Sequence, residues 1–130
     1  MKKMKLLLMM VLGCVMLVGC SSSKLSESFD EQKLKTTTEE VIQMLLNGEY
    51  DKIEAMSNKV LIDAKVTEQL SEVWEPLAKD LGKFESYEKE AVVGKDNDAT
   101  VIIITKFENG KAQFTISYNE DMELIGFFIK

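Results

Sequence analysis

Histidine and arginine are both absent from the 130 residues, and the only two cysteines, Cys14 and Cys20, lie near the N-terminus. The chain therefore lacks the side chains of Ser-His-Asp and Cys-His nucleophilic catalysis and of histidine- or cysteine-based zinc sites. Nucleic acid binding needs a cluster of basic residues, whereas the lysines here are scattered among 22 acidic residues. We expect no metal, no cofactor and no nucleic acid partner.

Three zones make up the first twenty residues. A cationic start over residues 1–5 precedes an apolar run over residues 6–16, which is shorter than the roughly 20 residues of a membrane-spanning helix but fits the core of a secretory signal. The stretch Leu17-Val18-Gly19-Cys20 then resembles the bacterial lipobox, in which the cysteine receives a diacylglyceryl group and becomes the new N-terminus. We therefore expect a signal peptide over residues 1–19 and a lipidated Cys20.

Lipidation would place the protein at the cell membrane, on its extracytoplasmic face in the cell envelope. Two or more acyl chains, such as palmitate, anchor a protein stably, whereas one binds only marginally. A poorer lipobox ends at Cys14, but cleavage there would leave residues 6–10 as an apolar run below the roughly 7–15 that a signal needs. The other alternative is a membrane-anchor or buried helix over the same region.

After processing, residues 20–32 predict a lipidated cysteine with a flexible tether, and residues 33–130 predict one small domain. Removal of Lys2, Lys3 and Lys5 leaves 13 lysines against 22 acidic residues, a net charge of −9. The processed protein is therefore strongly acidic.

Three helical patterns follow, each with apolar residues at steps of three and four. The first covers residues 34–46, and the second, over 50–64, predicts one helix or a short helix plus a turn. The third covers residues 67–81, with Thr67 as its N-cap. Because proline removes a backbone donor and clashes with the preceding turn, Pro76 predicts a kink in this helix or two abutting helices.

From Phe84 onward the apolar period changes to two. The predicted strands are 84–93, 99–108, 111–118 and 123–130. Asn109-Gly110, between the second and third strands, predicts a tight hairpin with a type I′ turn. Helices followed by a four-stranded antiparallel meander predict an α+β domain, with two to three N-terminal helices packed on one face of the sheet.

Several segments together resemble a bacterial domain family of unknown function. They are Leu46-Asn47-Gly48-Glu49-Tyr50-Asp51-Lys52-Ile53, Leu70 with Val73-Trp74, Leu81-Gly82-Lys83-Phe84, Phe114-Thr115-Ile116 and Leu124-Ile125-Gly126-Phe127-Phe128. That family is assigned to the nuclear-transport-factor-2-like (SnoaL-like) superfamily of α+β cones, whose members of this kind include small lipoproteins and domains attached to hydrolases. The resemblance implies an accessory or binding role. Pro76, and Met122 in place of the usual hairpin glycine, depart from the family pattern.

The Asn-Gly turn fixes how the second and third strands pair, and thereby predicts which face of these strands points toward the helices. It comprises alternate residues of both strands: Val101, Ile103, Thr105, Phe107, Ala112, Phe114, Ile116 and Tyr118. This face and the third helix would form the core or line an apolar pocket for a small ligand, through Leu70, Trp74, Leu77, Ile103, Phe114, Ile116 and Phe127.

Catalysis by proton transfer needs a titratable group with a shifted pKa beside the substrate. No carboxylate interrupts the inner face, where only Tyr87 and Tyr118 offer phenols. Tyr118 fits a half-buried tyrosine with a hydrated hydroxyl better than a catalytic acid. We expect a binding or interaction module and no enzyme, the alternatives being a small pocket enzyme of the isomerase or hydratase type and a docking domain for an envelope complex.

The remaining acidic groups have simpler interpretations. The run from Asp96 to Asp98 is compatible with a calcium loop, but the EF-hand pattern places its oxygens at alternate positions, so a hairpin turn fits better. The pairs Glu39-Glu40 and Glu88/Glu90 predict solvated faces.

The opposite face of the sheet is unexpectedly apolar. The predicted register places Ile102 beside Ser117 and Ile104 beside Thr115, and the next turn adds Leu124 and Phe128, although Glu88 and Glu90 can narrow the strip. Because a solvated sheet face is normally polar, this strip predicts a homodimer or an envelope protein partner, cover by the tether through Phe29, or an exposed patch. The interface candidates are Ile102, Ile104, Leu124 and Phe128.

Overall fold

The computed structural model describes residues 25–130, in which helices come first and strands follow. The helices are α1 (Glu31–Leu46), α2 (Tyr50–Met56), α3 (Lys59–Asp63) and α4 (Val66–Leu81). The strands are β1 (Phe84–Lys95), β2 (Asp98–Phe107), β3 (Gly110–Tyr118) and β4 (Leu124–Ile129). They form one antiparallel sheet in the order β1-β2-β3-β4. The predicted α+β meander is confirmed, with four helices within residues 25–130 rather than two or three.

The signal peptide and Cys20 lie outside the described residues. Within residues 25–130, no helix is long and apolar enough to cross a membrane. Part of the predicted tether is ordered, since Leu25 and Phe29 are half-buried against the core and α1 begins at Glu31. Asp30 starts this helix because its carboxylate accepts the N–H groups two and three residues further along the chain, at 2.9 and 3.2 Å.

The second helical pattern forms two short helices rather than one. The break lies at Ser57 and Asn58, which meet the start of β4 through an isolated bridge to Leu124 and a bond from the Asn58 N–H to the Leu124 carbonyl, 2.9 Å long. The Asn58 side chain accepts the N–H of Leu61 at 3.1 Å and thereby begins α3. Contact with the sheet therefore divides this segment.

Helix α4 corrects two expectations about its sequence. It begins at Val66 after Lys65, whose φ is +57°, and Thr67 lies inside it rather than at its N-cap. Pro76 lies within one continuous helix, so the alternative of two abutting helices is wrong. The helix continues past Pro76 because buried residues on both sides, Leu70 and Leu81 among them, hold it against the sheet.

The inner face of the sheet is as predicted. All eight of its residues are at most 2% exposed: Val101, Ile103, Thr105, Phe107, Ala112, Phe114, Ile116 and Tyr118. Trp74 covers this face, with its ring centroid 5.8 Å from that of Phe107 and 5.6 Å from that of Phe114. The hydroxyl of Thr105 has no hydrogen-bond partner in the described part of the chain, which costs roughly 1–3 kcal/mol for a buried polar group.

The hairpin register differs from the prediction by two residues. Phe107 pairs with Gly110, so Ile102 lies beside Thr115 and Ile104 beside Gln113. Neither Asn109 nor Gly110 has a positive φ, which excludes the predicted type I′ turn. The turn is instead held by the end of α4, since the Asn109 N–H donates to the Leu81 carbonyl at 2.8 Å. A shift of two residues keeps every side chain on the same face of the sheet. The predicted inner and outer faces of β2 and β3 are therefore correct despite the error in register.

The prediction that Leu124 lies on the outer face of the sheet is wrong. A register irregularity between Ser117 and Tyr118 puts Leu124 opposite Tyr118, and its side chain is fully buried. The hairpin turn before it contains Met122 at a φ of +62°, a left-handed conformation that glycine adopts at lower cost. An extra residue in β4 therefore reverses the parity on which the prediction depended.

Candidate functional site

A surface groove lies between α1, the start of α2 and β1, with a volume of about 420 Å³. Its walls combine acidic, amide and apolar groups, from Thr36, Glu39, Glu40, Gln43, Met44, Glu49, Lys52 and Tyr87. Residues on α1 can line it because the buried stripe of this helix occupies the adjacent face, through Leu34, Thr38, Val41, Ile42 and Leu45. The turn at Gly48, with a φ of +73°, places the start of α2 at one end of this groove.

Tyr87 joins the two walls of this α1–β1 groove. Its hydroxyl accepts a hydrogen bond from the Gln43 amide at 2.8 Å and donates to the Glu39 carbonyl at 3.2 Å. Partial burial is the main cause of a raised pKa for Tyr87, so the phenol remains protonated and holds the wall in place. The groove is thus preorganised by contacts made within the protein.

Glu90 on β1 lies beside Glu39, which lines the groove, and this proximity corrects the prediction that both belong to solvated faces. Both residues are half-buried. Burial first, and then a hydrogen bond and charge repulsion from Glu39, raise the pKa of Glu90 from 4.5 to about 7, while the charge of Lys35 opposes the rise. The Glu90 carboxyl therefore remains largely protonated up to about neutral pH.

This pair predicts that stability depends on pH. Because the pKa of Glu90 is higher in the folded than in the unfolded chain, the folded state binds more protons between pH 4.5 and about 7. We expect the free energy of unfolding to fall by about 1 kcal/mol from pH 5 to pH 8, after allowance for screening by solvent. Urea unfolding at both pH values measures this change.

Glu90→Gln should remove most of that pH dependence and stabilise the protein at pH 8, since glutamine is neutral at every pH and keeps a hydrogen-bond donor at this position. Glu72→Gln, an exposed position on α4, serves as the matched control and should leave the dependence unchanged. If the stability of Glu90→Gln depends on pH as strongly as that of the wild type, the pH dependence does not arise from Glu90.

The residues of the predicted apolar pocket are packed as core. Leu70, Trp74 and Phe127 are at most 7% exposed, and Ile103, Phe114 and Ile116 are fully buried, whereas Leu77 is half-buried at the margin. Leu70 and Phe127 also border a groove of about 220 Å³ between α4 and β4.

Tyr118 is fully buried, which corrects the expectation of a half-buried residue with a hydrated hydroxyl. Its hydroxyl lies 2.7 Å from that of Thr38, which donates its own proton to the Leu34 carbonyl at 2.7 Å. The Tyr118 hydroxyl is therefore the donor to Thr38. Burial raises the pKa of Tyr118 to about 12, and the phenol has a structural role.

The outer strip is narrower than predicted. Ile102 and Ile104 are half-buried on the outer face beside a groove of about 390 Å³, and Phe128 is 68% exposed. Lys111 on β3 and Glu88 on β1 form an ion pair of 2.8 Å across β2. Because Leu124 belongs to the core, only Ile102, Ile104 and Phe128 of the four predicted interface residues lie on the outer face of the sheet.

The described part of the chain contains no group of three or more carboxylates placed to hold a metal ion. The run from Asp96 to Asp98 forms the turn between β1 and β2, in which Lys95 pairs with Asp98. The interpretation as a hairpin turn is confirmed.

Comparison with known proteins agrees with this architecture. A family model described as a protein of unknown function, DUF3887, matches residues 38–127. The chain belongs to the DUF3887 family. Among solved structures, the NMR structure of a protein from Ruminococcus gnavus is similar to this DUF3887 chain, with 28% identity and a TM-score of 0.70, over 82% of this chain and 96% of the other. No curated protein matches the sequence.

The match to the R. gnavus protein also bears on experimental design. The match covers 96% of a chain whose structure was solved by NMR, and all the helices, strands and buried core residues described for this chain lie within residues 25–130. Residues 21–130 are therefore suitable for measurements in solution.

The α1–β1 groove was not recognised in the sequence. Glu39 and Gln43 are four residues apart on α1, which places them on one side of the helix, and this spacing was the available signal. Their partners Tyr87 and Glu90 belong to the strand with two register irregularities, whose facing could not be predicted.

Proposed function

We propose that this DUF3887 protein is a lipid-anchored module on the extracytoplasmic face of the cell membrane, where it binds a small ligand in the α1–β1 groove. The lipobox ending at Cys20 supports the anchor, and the resemblance to nuclear-transport-factor-2-like cones supports an accessory or binding role. The observation that carries the proposal is the groove itself, whose walls are joined by the Gln43–Tyr87–Glu39 hydrogen bonds.

The composition of the groove indicates the kind of ligand. Tyr87 and Met44 offer apolar surface, while Glu39, Glu40 and Gln43 offer hydrogen-bonding groups. Lys52 is bound to Glu49 at 2.9 Å, so the carboxylates of α1 dominate the local charge. A small molecule with an apolar body and hydrogen-bond donors matches these walls.

One observation favours a second candidate, a small pocket enzyme of the isomerase or hydratase type. A carboxyl with a pKa near 7 beside a groove is suited to proton transfer, and Glu90 in contact with Glu39 has this property. Binding is the better supported function because Glu39 lines the α1–β1 groove whereas Glu90 does not.

Native mass spectrometry of residues 21–130 purified from the original host tests the binding proposal. We expect the wild-type domain to retain a small molecule, and Thr36→Trp to lose it, because Thr36 is exposed at the groove wall and tryptophan would fill the space. Lys33→Trp is the matched control on the same helix, outside the groove. A retained mass that survives Thr36→Trp, or a wild-type domain that retains nothing, would contradict binding in this groove.

A further inference from the structure

The two edges of the sheet differ in their protection against another strand. β1 has two register irregularities and carries charges along its length, at Glu85, Glu88, Lys89, Glu90 and Lys95. β4 has neither a charged residue nor a proline from Leu124 to Ile129. Because natural edge strands avoid further pairing through charges, prolines and bulges, β4 is the edge that can accept a partner strand.

Within the part of the chain that the structure describes, some backbone groups of β4 have no hydrogen-bond partner. Lys130 exchanges two backbone hydrogen bonds with Gln113 on β3, of 2.9 and 3.1 Å. Because backbone groups alternate in direction along an antiparallel strand, Phe128 also bonds to β3, whereas the N–H and C=O groups of Phe127 and Ile129 point away. The contact of Asn58 with Leu124 and the packing of α3 beside β4 cover the start of this edge, so the open stretch lies within residues 125–129.

This open stretch is complementary to itself. When two copies pair antiparallel about a twofold axis at Phe127, the unused backbone groups of both copies face each other. The same register places Gly126 opposite Phe128 of the second copy. The exposed Phe128 ring of one copy can then pack over Gly126 of the second copy, where no side chain is in the way. A similar contact exists within a single strand, since the Phe128 ring lies 3.6 Å from the point that a Cβ atom on Gly126 of the same copy would occupy.

Charge favours the same arrangement. In a chain with 22 acidic and 16 basic residues, contacts through most of the surface bring carboxylates together, which repel. The stretch from Leu124 to Ile129 has none. In the register about Phe127, Lys130 lies one position from Glu123 of the second copy, and opposite charges so placed on neighbouring strands attract. This happens twice in a symmetric pair.

We propose that two copies of this chain associate through their β4 edges, in antiparallel register about Phe127, to form one continuous sheet. The proposal concerns a surface separate from the α1–β1 groove, so it stands whether or not that groove binds a ligand.

Sedimentation velocity of residues 21–130, over a range of concentrations, tests the backbone pairing. We expect a monomer–dimer equilibrium in which Ile129→Pro weakens association about tenfold, because it removes an outward N–H from each copy. Ile129→Val keeps this N–H and should associate as the wild type does. Wild-type protein that is monomeric at every concentration would overturn the proposal. The partner of the β4 edge would then be a strand of another protein.

A charge exchange tests the register independently of proline and its effect on folding. Lys130→Glu and Glu123→Lys should each weaken association several-fold at low salt, and the double variant should restore it. Both side chains are exposed. Ile104→Lys, on the outer face, should leave the dimer intact. A dimer that Ile104→Lys breaks, or that Ile129→Pro or both single charge variants leave unchanged, would overturn pairing through β4.

Discussion

Replacing Trp74 by alanine should lower the free energy of unfolding by roughly 3–5 kcal/mol, as expected for truncation of a large aromatic side chain in a core. Trp74 is 3% exposed and packs against Phe107 and Phe114 at centroid distances of 5.8 and 5.6 Å. Truncation would leave a cavity between α4 and the sheet that neighbouring side chains cannot fill. Urea unfolding of residues 21–130, followed by circular dichroism because Trp74 is the only tryptophan, measures the loss.

The neighbouring position provides the control for this prediction. Val73 lies on the same helix but is 54% exposed, so Val73→Ala should change the free energy of unfolding by only about 0.5 kcal/mol. A loss below about 1 kcal/mol in Trp74→Ala would show that the indole lies against a site that relaxes readily.

Replacing Cys20 by serine should abolish lipid attachment completely and leave an uncleaved precursor. The reason is chemical, since the serine hydroxyl cannot take the place of the thiol to which we expect the diacylglyceryl group to be attached. Metabolic labelling with an alkyne-bearing palmitate analogue, together with gel mobility, reports both steps in the original host.

Cys14→Ser is the matched control for lipidation. It should leave labelling and cleavage intact, because too few apolar residues precede Cys14 for a working signal. Loss of labelling in Cys14→Ser would transfer the anchor to that cysteine and show that the assignment of Cys20 is wrong.

Local patterns in the sequence were sufficient to predict the element types and the buried face of the sheet. Alternation along β2 and β3 placed Val101, Phe114 and their neighbours inside, and the structure buries them. This prediction tolerated an error of two residues in the hairpin register because side chains repeat with a period of two. The helical stripe containing Trp74 likewise identified the face of α4 that packs on the sheet.

Tertiary contacts decided the features that depend on a single residue of register or on distant partners. The Asn109 N–H bonds to Leu81 at the end of α4, which shifts the hairpin turn, and one extra residue in β4 turns Leu124 inward.

The Glu39–Glu90 pair also depends on tertiary structure, since it joins a helix and a strand that are far apart in sequence. Each glutamate alone has the pattern of a solvated residue. Only their approach and shared burial change the pKa of Glu90, because electrostatic interactions depend on distance and local dielectric rather than on position in the chain. The sequence by itself therefore determined the element types and the inner face of β2 and β3, whereas the fold decided the face of Leu124 and which distant groups meet.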